Sequence, residues 1–325
     1  MSNAAESQMP ISECRASSYA AKGFLCQTLL TVRYLARDTG QAAMQQGDIS
    51  LIETVLLNNH TRMPRLGIGM NHMENEKAVI TAINSAVTAG YRMIDTASSY
   101  RNEEYIGQAI AKCQIPRRDL FIISKVWNTA QRLGDTAGAF ERSLERLQLN
   151  YVDLYMIHWP VPGCYGATWD ELAKLSTSRA VLAIGVSNFE IRHLEALRKA
   201  SGIVPAVNQI ECHPLNYNKE LIEYCQSNGI EVQAYAPLAG GACLDEDIIC
   251  VVATKYARTP AQIALRWAIQ KGLSVIPGSS NTDHIRSNAD IFSFEIEEED
   301  MAILDTMSRG YRSAGIPDDL KDIPF

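Results

Sequence analysis

The chain of 325 residues is 46% hydrophobic and carries a formal net charge of −7, with an isoelectric point near 5.5. This composition suits one large globular domain or two ordinary ones, and its acidic balance argues against a nucleic-acid partner, which would require concentrated Lys and Arg. No uninterrupted run of about 18 apolar residues is present, so we expect no membrane-spanning helix and no membrane partner. The eight cysteines form no CxxC pair and no dense disulfide framework, a pattern typical of free thiols in a cytoplasmic protein.

The first 48 residues differ in pattern from the rest, and we predict that residues 1–48 are a poorly ordered leader or extension. Scattered basic residues give them a faint likeness to an organellar transit peptide, but Glu6, Glu13 and Asp38 make this region too acidic. An apolar stretch after Lys22 begins too late for a secretory signal and lacks a clean small-residue cleavage site. We therefore assign the folded domain to residues 49–325.

Regular structure is predicted from Glu53 onwards. In TVLLNNHTRMPRLGIG, Asn-Asn-His-Thr separates two short apolar stretches, which predicts a β-hairpin leading into a strand. Eight apolar segments are predicted to be strands: 65–69, 91–95, 120–125, 152–158, 182–187, 206–211, 231–235 and 274–277. Apolar residues at helical spacing predict helices between and after them: 76–89, 103–112, 137–147, 191–200, 219–228 and 297–309.

Alternating strands and helices predict an α/β fold with parallel strands. Eight such repeats favour a (β/α)8 TIM barrel with an N-terminal β-hairpin and peripheral helices. A doubly wound open sheet remains possible from the pattern alone. That sheet would want a Gly-rich turn after its first strand, and GIGMNHM lacks the third glycine of GxGxxG.

Polar residues fall at the ends of the predicted strands, where the reacting groups of a barrel project. These residues are Asp95, Lys125, His158, Ser187, Gln209, Glu211 and Tyr235. Tyr100 follows shortly after Asp95. Taken singly, such residues are more often helix caps, rim aromatics or solvated charges. Together, a phenol, an ammonium, a carboxylate and an imidazole predict a proton donor that needs no metal.

Several motifs resemble those of the aldo-keto reductase family, in family order and spacing from about Thr54 to the C-terminus. They are GYRMIDTASSYRNEEYIG, ISKVW, YMIHWP, AIGVSNF, VNQIECHP, AYAPL and VIPGSSNTDHIRSN. The resemblance implies a (β/α)8 barrel closed by an N-terminal hairpin, and reduction of small or medium aldehydes and ketones by hydride from a nicotinamide. The implied partner is a small carbonyl substrate, and we expect a monomer or a weak homo-oligomer.

The resemblance also implies catalytic roles. Tyr100 would be the general acid that protonates the carbonyl oxygen. Lys125 would lower the pKa of Tyr100 toward working pH, and Asp95 would hold Lys125 in place. His158 would orient the substrate carbonyl.

The implied cofactor residues follow in the same way. Ser187, Asn188 and Gln209 would hold the nicotinamide carboxamide, and Tyr235 would stack on the ring. The remaining predicted cofactor residues are Pro237, Leu238, Ser279, Ser280 and Asn288.

The predicted cofactor is NADP(H), with NAD(H) possible. Many family members carry Lys where Gly278 stands and Arg where His284 stands, and those cations hold the 2′-phosphate of NADPH. Arg286 could substitute only if its helix face turned inward. Ser279, Ser280 and Asn281 could still bind an anion at a helix N-terminus. Asn288 matches the position that contacts the adenine in the family. Ser287 replaces an expected Glu beside it, which weakens that contact.

The substrate pocket is predicted from Trp127, Trp159 and Asn71. Met70 and Asn71 stand where the family often has Thr and Trp, which predicts a wider or more polar mouth. A modest loop at 161–167 disfavours bulky steroids. The irregular tail, residues 311–325, is expected to edge the pocket through Tyr311 or Phe325.

No metal site is predicted. Glu211 and His213, considered with His158, lack a convincing ligand spacing and are expected to form structural hydrogen bonds. Two other functions stay open. One is a catalytically silent nucleotide-binding barrel with a regulatory role, and the other is a lyase that uses Lys125 as a Schiff-base nucleophile.

Overall fold

The computed structural model describes residues 53–320, so the predictions for residues 1–48 and for Phe325 lie outside the described residues. Two antiparallel strands form the N-terminal hairpin, β1 (Thr54–Leu56) and β2 (Arg62–Pro64). Within the described part of the chain, eight parallel strands follow: β3 (Gly67–Gly69), β4 (Met93–Asp95), β5 (Phe121–Val126), β6 (Val152–Ile157), β7 (Val181–Ser187), β8 (Val207–Glu211), β9 (Glu231–Tyr235) and β10 (Ser274–Val275).

Helices alternate with these strands. They are α1 (Glu76–Thr88), α2 (Glu103–Lys112), α3 (Asn128–Leu133), α4 (Thr136–Leu147), α5 (Tyr165–Ser176), α6 (Ile191–Ser201), α7 (Lys219–Ser227), α8 (Asp247–Tyr256), α9 (Pro260–Gln270), α10 (Thr282–Ala289) and α11 (Glu298–Asp305). None of the helices between residues 53 and 320 is long and apolar enough to cross a membrane.

The sheet closes into a barrel. Its strands lie in sequence order from β3 to β10, and the circle is completed by a parallel bridge between Leu66 and Val275 and by a hydrogen bond of 2.7 Å from the Val275 amide to the Arg65 carbonyl. The predicted (β/α)8 barrel with an N-terminal hairpin is therefore confirmed. The last strand is shorter than predicted because Pro277 has no N–H to donate to a neighbouring strand.

The barrel has two cores because its strands are buried on both faces. Every residue of β5 and of β6 is buried, so these strands are mostly apolar on both faces, with Ser124, Lys125 and Asp153 as buried polar exceptions. Inside the barrel, Met93, Ile123 and Leu154 pack with Leu57 and Met63 of the hairpin region. A larger core lies between the strands and the surrounding helices. The hairpin thus closes the end of the barrel opposite the carboxyl ends of the strands.

Two predicted segments differ in detail. The modest loop predicted at 161–167 ends early, because α5 begins at Tyr165. The last predicted helix, 297–309, is shorter, since α11 spans Glu298–Asp305 with three acidic residues in its first turn. Acidic side chains favour a helix N-terminus, where backbone amides are unpaired.

Candidate active site

A cavity of about 1270 Å³ opens at the carboxyl ends of the barrel strands. It is larger than the pockets of about 300–1,000 Å³ that typically hold a drug-sized ligand. Its lining includes most of the predicted site residues: Asn71, Asp95, Tyr100, Trp127, His158, Trp159, Ser187, Asn188, Gln209, Tyr235, Pro237, Leu238, Ser279 and Ser280. Lys125 lies beneath the lining, with no exposed surface, and Asn288 is buried on α10 outside it.

Asp95 and Lys125 form a buried ion pair at the ends of two neighbouring strands. The register of β4 and β5 pairs Asp95 with Ile123, which places Lys125 just beyond it. The Lys125 Nζ donates to both carboxylate oxygens of Asp95 at 2.7 and 2.8 Å and to the Thr96 carbonyl at 2.9 Å. All three ammonium protons therefore have acceptors, which offsets the cost of burying the charge.

A second carboxylate lies behind Lys125, and we did not predict it. Glu103 on α2 is 1% exposed and accepts hydrogen bonds from Ser124 at 2.6 Å and from Arg146 of α4 at 2.6 Å. Burial lowers the pKa of Lys125, while Asp95 and Glu103 oppose that shift. The available signal was an acidic residue on the apolar face of α2, beside Ile106 and Ile110.

Tyr100 ends a short 3-10 turn, Ser98–Tyr100, and is half-buried at the cavity wall. The Lys125 Nζ lies 5.1 Å from the centroid of its ring. Burial, followed by the charge of Asp95, raises the pKa of Tyr100 well above its ordinary value. The lowering of this pKa by Lys125 stays a prediction, because the Asp95 carboxylate paired with Lys125 offsets much of the ammonium's charge at the phenol. The phenol therefore keeps its proton at neutral pH.

His158 faces Tyr100 across the cavity. Its ring makes edge contacts with Tyr100 and Trp127, at centroid distances of 5.6 and 5.0 Å. Burial, together with the charge of Lys125, lowers the pKa of His158 well below 6.5, so the imidazole is neutral. The Ser99 Oγ lies 3.4 Å from Nδ1. If that hydroxyl donates to Nδ1, the proton is on Nε2, which can then donate to a ligand oxygen.

We expect His158 to make stability depend on pH. Because it is buried neutral, the unfolded chain binds more protons below about pH 6.5, and stability falls as pH falls from there. Each proton taken up on unfolding changes the free energy of unfolding by up to about 1.4 kcal/mol per pH unit. The His158→Gln variant should therefore lose about 1 kcal/mol less than the native chain between about pH 7.5 and 5.5. Urea unfolding at both pH values measures this. His284→Gln, which removes an exposed imidazole on α10, is the control, and equal losses in the native chain and His158→Gln would contradict the expectation.

The other half of the cavity carries an amide and hydroxyl network. The Ser187 Oγ donates to the Gln209 carbonyl at 2.9 Å. Asn188 donates to the His158 carbonyl at 3.0 Å and accepts from the Tyr235 hydroxyl at 2.8 Å. Asn188 has a φ of 63° and Ala236 a φ of 45°, unusual values for residues with a Cβ. The backbone is thus held in uncommon conformations where the network meets the cavity.

Gln209 links the two halves of the site. Its Nε2 donates to Asp95 at 2.8 Å and to Gln233 at 2.6 Å, which engages both amide protons. Its Oε1 is then the atom that can accept from a ligand N–H. Gln209 therefore connects the Asp95–Lys125 pair to the predicted carboxamide site.

The loop between β10 and α10 borders the cavity without a cation. A Cβ on Gly278 would lie 3.0 Å from the Gly69 carbonyl, so a side chain there would push β3. The Asn281 side chain already accepts from the Asp283 and His284 amides, which satisfies part of the helix N-terminus. Arg286 is exposed and pairs with Asp283, so its helix face does not turn inward.

The tail contributes to the cavity through residues different from those predicted. Residues 313–319 belong to the lining, whereas Tyr311 lies outside it, 40% exposed, with its ring 6.3 Å from that of His213. Glu211 and His213, for which structural hydrogen bonds were expected, lie 3.2 Å apart between Oε1 and Nε2. Between residues 53 and 320, no group of three or more His, Cys, Asp or Glu side chains is arranged to hold a metal ion.

A parallel barrel that gathers a phenol, an imidazole and a buried ion pair in a cavity at the carboxyl ends of its strands has these groups where the active sites of barrel enzymes lie. Residues 65–309 match the model of the aldo/keto reductase family. The chain belongs to this family and is an oxidoreductase that reduces carbonyl compounds with a nicotinamide cofactor.

The similarity to individual relatives extends over nearly the whole length of each relative. The chain is 45% identical over 271 residues to a glyoxal reductase of Bacillus subtilis strain 168, spanning 83% of this chain and 98% of the relative. It is 38% identical over 268 residues to a methylglyoxal reductase of Escherichia coli K12, spanning 81% and 96%. The solved structure of an aldo/keto reductase from Brucella melitensis superposes with a TM-score of 0.76 at 40% identity, covering 79% of this chain and 99% of that one.

Proposed function

We propose that this protein reduces small and medium aldehydes and ketones, with Tyr100 as the general acid. The observation that carries the proposal is the meeting of Tyr100, His158 and the Asp95–Lys125 pair at one cavity wall. Burying four polar groups from the ends of three strands is costly, and their convergence in one cavity is typical of an active site.

The cofactor residues fit a nicotinamide dinucleotide by the chemistry of their donors. Ser187, Asn188 and Gln209 offer hydroxyl and amide groups for a carboxamide, and the half-buried Tyr235 offers a flat ring. When bound, the reduced cofactor supplies the hydride that reaches the carbonyl carbon. Asn188 and Tyr235 hold each other through their hydrogen bond, so the ring is fixed before ligand binds.

The proton step depends on this chain's own residues. The neutral Nε2–H of His158 would donate to the carbonyl oxygen and hold it near Tyr100. As negative charge develops on that oxygen, the Tyr100 O–H bond breaks and its proton moves to the oxygen, giving the alcohol. An alkoxide is a stronger base than a phenolate, so transfer is favourable despite the raised pKa of Tyr100. The Lys125 ammonium, 5.1 Å from the ring, stabilises the phenolate until solvent returns the proton.

A panel of carbonyl compounds tests the reaction. It would include methylglyoxal, aromatic aldehydes and sugar-derived carbonyls, each run with NADPH and NADH while nicotinamide absorbance is followed. The relatives named glyoxal reductase and methylglyoxal reductase make small dicarbonyls the first candidates. We expect turnover of several members, and failure of every one with either cofactor would refute the proposal.

The structure bears on the choice between cofactors. The family resemblance favours NADP(H), but Gly278 and His284 stand where relatives carry cations, and Arg286 pairs with Asp283. We propose that the chain binds both cofactors, with dissociation constants that differ by less than about tenfold. One well-placed ion pair with the 2′-phosphate would contribute about tenfold in affinity for NADPH, and Gly278 and His284 replace the cations that would form it. Fluorescence titration with NADPH and NADH measures the two dissociation constants directly. A hundredfold preference for NADPH would contradict the proposal.

A Schiff-base lyase is disfavoured by the surroundings of Lys125. Its nitrogen has no exposed surface and holds three hydrogen bonds, so it cannot approach a substrate carbonyl without breaking the ion pair. Borohydride should therefore trap no substrate on Lys125. A covalent adduct found there by mass spectrometry would revive the lyase.

A further inference from the structure

Ser99 places a hydroxyl beside the imidazole of His158. Its Oγ lies 3.4 Å from Nδ1, and both residues line the cavity. In a neutral imidazole one nitrogen carries a proton and the other accepts a hydrogen bond. The partner of Nδ1 therefore decides what Nε2 can offer to a ligand. Donation from His158 to a carbonyl oxygen requires the proton on Nε2.

The backbone holds the Ser99 hydroxyl in this position. Ser99 is the middle residue of the short turn Ser98–Tyr100. The neighbouring Ser98 Oγ donates to the Lys125 carbonyl at 3.0 Å, which ties the turn to the end of β5. The turn that carries the candidate acid, Tyr100, thus also carries the hydroxyl that reaches Nδ1.

His158 is held just as firmly. Its amide donates to the Val126 carbonyl at 3.2 Å, and its own carbonyl accepts from the Asn188 side chain at 3.0 Å. The edge contacts with Tyr100 and Trp127 restrain the ring itself. The serine hydroxyl and Nδ1 therefore face each other before a ligand binds.

The direction of the hydrogen bond follows from the basicity of its two atoms. Burial and the charge of Lys125 lower the pKa of His158, so the ring is neutral and one of its nitrogens has a free lone pair. That nitrogen is a stronger base than a serine hydroxyl, and the hydroxyl proton can rotate to it. Donation from Ser99 to Nδ1 leaves the ring proton on Nε2. The opposite arrangement would turn a lone pair toward the carbonyl oxygen and repel it.

We propose, resting on the proposed function, that Ser99 is a positioning residue that fixes His158 in the tautomer with its proton on Nε2. The hydroxyl acts through the imidazole. As negative charge develops on the carbonyl oxygen, the hydrogen bonds at Nδ1 and Nε2 polarise each other. Hydrogen bonds of catalytic groups tighten in the reacting complex, so the contact of 3.4 Å should shorten there.

Nitrogen NMR of the full-length chain, labelled with isotopic histidine and measured at neutral pH, reads the tautomer directly. The signals lost in His158→Gln identify this ring. We expect the native ring to carry its proton on Nε2, and Ser99→Ala to move part of the population to Nδ1–H. Ser98→Ala removes the neighbouring hydroxyl of the same turn and should leave the His158 signals unchanged. A native proton on Nδ1, or a native tautomer in Ser99→Ala, would overturn the proposal.

Kinetics test whether the tautomer matters for turnover. In Ser99→Ala we expect kcat/KM for the best aldehyde to fall by about two- to tenfold, the usual contribution of one neutral hydrogen bond. The dissociation constant of NADPH should not change. Ser99→Thr keeps a hydroxyl at this place and should retain most of the native kcat/KM, and thermal unfolding checks that both variants are folded.

Two kinetic results would overturn the positioning role: an unchanged kcat/KM in Ser99→Ala, or an equal loss in Ser99→Thr. A native chain that reduces no carbonyl compound would instead count against the proposed function. The NMR measurement needs no turnover, so it would still decide whether Ser99 sets the tautomer of His158.

Discussion

The Tyr100→Phe variant is expected to lose about 10²- to 10⁴-fold in kcat, the usual contribution of a general acid. The change removes one hydroxyl from a half-buried ring at the cavity wall and leaves the ring contact with His158 possible. No hydrogen bond of the fold is expected to depend on that hydroxyl, so stability should change little. Steady-state kinetics with the best aldehyde of the panel, alongside thermal unfolding, measures both effects.

Measuring cofactor binding distinguishes a reductase in which Tyr100 is the acid from a catalytically silent nucleotide-binding barrel. If Tyr100 is the acid, Tyr100→Phe should bind NADPH and NADH as the native chain does while turnover is lost. Tyr165→Phe is the control, since Tyr165 contacts Phe189 outside the cavity. Unchanged turnover in Tyr100→Phe would remove the phenol from the mechanism. A native chain that binds the cofactor but reduces nothing would favour the catalytically silent barrel.

The barrel could be predicted from the sequence because its signals are local. Each strand is a short apolar run, each helix repeats apolar residues at helical spacing, and both patterns arise from neighbours in the chain. The strand Glu231–Tyr235 and the helix Glu103–Lys112 coincide with the predicted segments. The carboxyl ends of parallel strands meet at one edge, so Asp95, His158 and Gln209 could be expected to converge.

The electrostatics could not be predicted in the same way, since they depend on which atoms share a hydrogen bond. From the sequence, Lys125 and Tyr100 only have to be near each other. In the structure the three Lys125 protons point to Asp95 and Thr96, and burial then dominates the pKa of Tyr100. The depth of burial and the charges that lie nearest the phenol decide the sign of such a shift.

Contacts between distant segments were also beyond the sequence. Glu211 anchors Ser313, which is 102 residues away, and Glu103 meets Arg146 across 43 residues. Neither acid stands in a pattern that identifies its partner, because both partners lie in segments without a motif of their own. The tail was expected to edge the pocket, but the residues that do so could only be found once Glu211 was seen to hold it.

The second large effect is expected from the buried Asp95–Lys125 pair. In Asp95→Asn the Lys125 ammonium stays buried with only the Thr96 carbonyl and a neutral amide for acceptors. Removing one partner of a buried ion pair costs about 3–5 kcal/mol, so the variant should unfold at clearly lower urea concentration. Lys125→Met should be destabilised similarly, because it leaves the Asp95 carboxylate without its cation.

The double variant Asp95→Asn/Lys125→Met shows whether the pair exists for stability or for catalysis. Replacing both members of a buried ion pair by neutral groups is often close to neutral for stability. We therefore expect the double variant to recover most of the stability that each single variant loses, while activity stays low because Tyr100 has no cation beside it. Glu171→Gln and Lys174→Met, in an exposed pair on α5, should each change stability little. Additive losses in the double variant would show that the two charges are not coupled, and recovered activity would show that Tyr100 needs no neighbouring ammonium.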